Sequence, residues 1–139
     1  MKISKLLTII CAAIALTSFH TLTASAHEGH DHGAKNTVPD TADGIMKEIH
    51  KQHELLAAAI AAKNLKAVHD PIEALPTLAK ALPDKVAAGK KTRVQGSVNN
   101  LTKVADTLHQ AADAGDQTKA EAELKKLEGV LQALDQQVK

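Results

Sequence analysis

Four stretches of this chain carry apolar side chains at intervals of four, three, four and three residues, and nothing else in it constrains the fold as tightly. The cleanest is Ala120, Leu124, Leu127, Leu131, Leu134 and Val138. Before it come Val94, Val98, Leu101, Ala105, Leu108 and Ala112, and before those Val68, Ile72, Leu75, Ala79 and Leu82. The first stretch is Ile45, Ile49, Gln52, Leu56 and Ala59, with Ile60 alongside. That spacing puts each set on one side of a helix, where it must be buried against other helices. The fold expected is all-α: an antiparallel up-down four-helix bundle over residues 42–139.

The punctuation between the stripes agrees. Asp40 or Asp43 is placed to cap the first helix, and Ala62-Lys63-Asn64 makes a short link to the second. Asp70-Pro71 reads either as an N-cap followed by proline at the first helical position, or as a kink in a helix that starts near Leu65. Pro76 removes a further backbone donor, so this helix should be bent or broken, and it should stop at Pro83. Gly115-Asp116 separates the third helix from the fourth, where Thr118 and Glu121 have the spacing of a capping box. Short links between helices of similar length favour an up-down course.

Residues 1–26 read as a cleavable signal peptide. Lys2 and Lys5 precede an apolar run from Leu6 to Leu16, and a polar stretch ends in Ala24-Ser25-Ala26. The run is about half the length needed to cross a bilayer, so no stable membrane anchor is expected. Cleavage after Ala26 would leave a periplasmic protein that begins at His27.

Cleavage also changes the available chemistry. Cys11 and Phe19 are the only Cys and Phe, and the chain has no Trp or Tyr. The exported form therefore has no thiol and no Phe, Tyr or Trp, and the missing thiol excludes disulfides, zinc–thiolate sites, iron–sulfur clusters and cysteine nucleophiles. Loss of Lys2 and Lys5 from a formal charge of +1 leaves the chain near neutral, with Arg93 its single arginine. Nucleic acid, which calls for basic patches and stacking platforms, is not an expected partner. Without aromatic side chains the interior should be thin and rich in alanine.

Residues 27–41 form a polar leader without period, expected to be flexible. It opens His27-Glu28-Gly29-His30-Asp31-His32. Three imidazoles and two carboxylates in six residues suit copper first, and also zinc, nickel or cobalt. The α-amine and ring of a new N-terminal His27 would close a chelate, with His30 and His32 brought round the same ion. The competing reading is a solubilising tail whose histidines are incidental.

Met46, His50 and His53 lie along one border of the first apolar stripe, with His53 nearest its centre. They could hold a soft ion such as Cu(I), or pack as boundary residues with polar tips exposed. His50, His69 and His109 each have an acid four residues later, in Glu54, Glu73 and Asp113. These read as helix-surface pairs, since the Glu-x-x-His pairs of ferritin-like di-iron sites are missing. Haem is not expected, because no Cys-x-x-Cys-His occurs. No motif of an enzyme is recognisable, and Ser97 has none around it.

Two segments carry a resemblance. One is Lys63-Asn64-Leu65-Lys66-Ala67-Val68-His69, running on to Ala81-Leu82-Pro83. The other is Asp113-Ala114-Gly115-Asp116 followed by Ala122-Glu123-Leu124-Lys125-Lys126-Leu127-Glu128-Gly129-Val130-Leu131. Together they resemble small exported helical proteins found alongside bacterial heavy-metal and copper efflux systems, over most of residues 43–135. The resemblance implies a periplasmic accessory of metal resistance without catalysis, with a metal efflux component as partner and His69 as a position carried over. Pro71 and Pro76 depart from the more regular helix it implies there. The function expected is thus a metal-binding buffer or carrier, with His27, His30, His32, Met46, His50, His53 and His69 as candidate ligands. The alternative is a structural or protein-interaction bundle.

Overall fold

Thr41 starts the first helix. Its backbone is extended and its Oγ1 accepts a hydrogen bond from the Gly44 amide at 3.1 Å, satisfying one of the donors a helix start leaves free. The cap is thus neither Asp40 nor Asp43; Asp43 lies within the first turn, where its charge complements the helix dipole. Pro39 closes over this turn so tightly that a β-carbon on Gly44 would meet the proline Cβ at 2.9 Å.

The computed structural model describes residues 37–139, so the expected signal peptide and most of the leader, with His27, His30 and His32, lie outside the described residues. Within them the chain forms four α-helices and no strand: α1 Ala42–Ala61, α2 His69–Lys80, α3 Lys91–Asp113 and α4 Gln117–Val138. Short 3₁₀ turns at Leu65–Val68, Leu82–Asp84 and Ala88–Lys90 fill the links on either side of α2.

The 3₁₀ turn at Leu65–Val68 runs straight into α2 at His69, with Val68 in helical conformation. Asp70 therefore caps nothing. Pro71 falls in the first turn, where its missing N–H has no helical partner to lose. Nor does Pro76 break the helix, which continues to Lys80. One lost backbone hydrogen bond is the cost, and the hydroxyl of Thr77 donates to the Glu73 carbonyl at 3.5 Å alongside it.

α4 is capped by Asp116, whose carboxylate accepts from the Lys119 amide at 2.9 Å. Thr118, two residues inside the helix, is not the cap. Gln117 then donates to the Ile60 carbonyl and to Glu121, each at 2.7 Å, tying the start of α4 to the last turn of α1.

Both α1 and α3 pack on α2 and α4, forming a four-helix bundle round one core. Every residue named in the second and third stripes is buried, and Leu127 and Leu131 are 0% and 2% exposed. Burial of side chains of this size contributes about 1.5–3 kcal/mol each. Seven buried alanines, among them Ala79, Ala105 and Ala120, keep the interior thin as expected. Leu124 and Val138 are only partly buried against it. Glu123 is buried instead, and Lys126 donates to its carboxylate at 2.6 Å.

Candidate metal centre

The first turn of α2 lies against the last turn of α3, and this junction brings histidine to histidine. His69 follows the 3₁₀ turn as the first residue of α2; His109 and Asp113 sit four apart near the end of α3. His69 Nδ1 is 2.9 Å from His109 Nε2, and the rings meet edge to face with centroids 4.9 Å apart. The Asp113 carboxylate oxygen is 3.7 Å from His69 Nε2 and 3.9 Å from His109 Nε2.

Two imidazole nitrogens at 2.9 Å must share a proton, since facing lone pairs or facing N–H groups would repel. A metal ion can take that proton's place, because each neutral ring offers it one lone pair. One donor atom from each of the three residues can be chosen so that all lie within 4.8 Å of one another. Donors round a four-coordinate ion with bonds of about 2.0–2.1 Å are roughly 3.3 Å apart. The side chains would have to draw closer by that difference to share one ion. The negative pole at the end of α3 favours a cation, and the positive pole at the start of α2, where His69 sits, works against it.

The side chains of His69 and His109 are 37% and 33% exposed, so an ion here would keep coordination positions open to solvent. His69 and Asp113 also line a cleft of about 620 Å³ whose other walls include Lys63, Asn64 and Lys66. Such a site suits capture and release of an ion.

The other sequence-predicted ligands do not share this centre. Met46 is buried at 5% exposure within the core, deeper than its border position on α1 implies. His50 Nε2 contacts Asp135 on α4 at 3.0 Å. His53 is half-buried; its Nε2 is enclosed without a hydrogen-bond partner, and burial pushes its pKa below the usual histidine value. The three side chains of the strip thus have three different surroundings. Among the described residues, His69, His109 and Asp113 are the one group of three or more His, Cys, Asp or Glu with metal-ligand spacing.

Sequence reasoning names His69 but leaves out His109 and Asp113, which read there as a surface pair. The i, i+4 spacing of His109 and Asp113 is the local signal that could have found them. What turns the pair into a centre is a third donor forty positions away. No protein-family model, curated protein or solved structure matches this chain.

Proposed function

We propose that this chain is a metal-binding accessory protein, a buffer or carrier for copper or a similar divalent transition ion, that acts in the periplasm beside a metal efflux system. The observation that carries this reading is the His69–His109–Asp113 cluster, which adds to the His-rich segment His27–His32 a second set of borderline ligands. Two imidazoles and a carboxylate select Cu(II), Zn(II), Ni(II) or Co(II); the soft ligands that hold Cu(I) are not among them. An export signal at residues 1–26 supplies the location, and no described helix is long and apolar enough to cross a membrane.

The bundle runs up and down in antiparallel fashion in this reading. Support comes from opposite ends meeting: Ile60 with Gln117 and His50 with Asp135, so that advance along α1 is retreat along α4. A purely structural or interaction role has less support. Leu55 is the single large hydrophobic residue exposed among the described residues, so a partner surface here would be polar.

Calorimetric titration of the mature chain with Cu(II), Zn(II), Ni(II) and Cu(I) tests the proposal. Wild type, a form lacking residues 27–33, and the His69→Ala/His109→Ala double variant are compared. Binding of a divalent ion that weakens in the double variant supports it. Dissociation constants above about 100 μM for all four ions, roughly −5.5 kcal/mol, would end it.

A further inference from the structure

Two helix ends in this protein turn in the same way, and one of them is costly. After α1, Lys63 N–H donates to Ile60 and Asn64 N–H to Ala59; after α3, Gly115 N–H donates to Ala112 and Asp116 N–H to Ala111. Both are Schellman closures, which need a left-handed residue at the position following the cap. Gly115 takes that conformation at φ 68° without penalty, whereas Lys63 takes it at φ 56° as the one non-glycine residue with positive φ among those described. A side chain there costs on the order of 1 kcal/mol relative to glycine. Residues held in such conformations cluster at functional sites.

Lys63 lies in the wall of the cleft onto which His69 and Asp113 open, and Lys66 is in the same wall one turn on. Neither lysine pairs with a carboxylate among the described residues. Among the described residues, Asp113 is the only acid lining the cleft. A divalent ion on His69, His109 and Asp113 would leave the cleft carrying an excess of positive charge, with open coordination positions pointing into it.

From this juxtaposition we infer that the site takes its metal together with a small oxyanion, a carboxylate or a sulfate- or phosphate-like group, bound to the ion's open face and held by Lys63 and Lys66. The inference rests on the metal-binding reading and names the species bound: an ion–anion pair rather than a bare cation. The ion supplies the anion's primary bond, and the ammonium groups supply charge-assisted hydrogen bonds to its outer oxygens. The Asn64 amide, in the same wall, offers a further donor.

The test uses the mature chain without residues 27–33, so that the leader histidines do not compete, loaded with Co(II), whose visible absorption changes when a ligand enters its coordination shell. Acetate and sulfate are titrated separately into wild type, Lys63→Gly, Lys66→Gln and His69→Ala/His109→Ala. Lys63→Gly relieves the left-handed strain, so this variant should fold at least as well as wild type. In wild type the spectrum should shift on anion addition. Each lysine change should weaken that response about three- to tenfold, the loss of one charge-assisted hydrogen bond in a partly exposed setting. Cobalt affinity without added anion should not fall in the lysine variants, since each removes a positive charge beside the ion. Whichever of the two probes binds tighter identifies the oxyanion class. If both lysine variants respond to both anions as wild type does, while cobalt binding still depends on His69 and His109, the ion–anion inference is overturned and the metal reading stands. If cobalt binding does not change in the double histidine variant, the metal reading of this cluster fails, and this inference with it.

Discussion

His50 and His53 are three residues apart on one helix and do not share an environment; His69 and His109 are forty apart and share a hydrogen bond. On α1, one ring faces Asp135 and the other turns its Nε2 into an enclosed space without a partner. At the α2–α3 junction, two rings and a carboxylate gather at a half-open surface. The difference lies in what packs against each helix. Along α1, Asp135 of α4 takes His50 while His53 turns inward, whereas the junction of α2 with α3 brings His69 and His109 within hydrogen-bond distance. Short spacing in sequence is therefore a poor guide to a shared site unless the facing element is known.

The comparison presupposes one core beneath both regions, and the largest expected effect tests that. Leu127→Ala or Leu131→Ala should lower unfolding free energy by about 2–5 kcal/mol, measured by denaturant titration. Losses below about 0.5 kcal/mol at both would mean that the buried face is misassigned.

The next effect is the sharpest divider between the two regions. In a chain lacking residues 27–33, replacing His69 and His109 together by Ala should weaken Cu(II) or Zn(II) binding at least about 100-fold, roughly 2.7 kcal/mol. Replacing His50 and His53 together should change it less than about twofold. The reverse pattern would move the site to α1.

A smaller effect concerns the corner that holds Asp113 in place. Asp116→Ala removes the cap of α4 and should cost about 1 kcal/mol, whereas Thr118→Ala, which caps nothing, should cost less than about 0.5 kcal/mol. Equal losses at the two positions would return the cap to Thr118.

The smallest effect distinguishes His53 by proton linkage. Burial lowers its pKa in the folded state, so below its ordinary value near about 6.5 the unfolded chain binds more protons than the folded one. Stability should then fall as pH drops through that value and level off once the folded-state pKa has been passed. His53→Gln should flatten the slope in this window. An unchanged slope would show that the ring is solvated in the folded protein.

The apolar stripes were legible because helical period is a local property: all of the second and third sets are buried as their spacing requires. Less legible were the features that depend on a partner. Met46 sits at the border of its stripe on an isolated wheel, but α1 is covered by both α2 and α4, which widens its buried arc past that border. The cap of α1 is expected at Asp40 or Asp43 and lies at neither, because capping depends on which oxygen reaches a free amide. Thr41 is the one whose oxygen reaches the Gly44 amide. His69 emerged from a resemblance rather than from spacing, and His109 was discounted because a His–acid pair on a helix surface is common. Only the packing of α2 on α3 gives that pair a third member.

The 2.9 Å approach of His69 to His109 also bears on how this chain is held shut. The bundle has no cysteine, so no disulfide can close it. An ion spanning the two rings would cross-link positions forty residues apart. Such an ion would bind the folded chain and not the unfolded one, stabilising the fold by about 2.7 kcal/mol when free ion stands at about 100 times its dissociation constant. Unlike a sulfur bridge, this cross-link would need no oxidant to form and would open to a chelator or to acid. Loss of cargo would then loosen the junction of α2 with α3, so that the loaded and emptied proteins would differ in rigidity at the surface a recipient would meet.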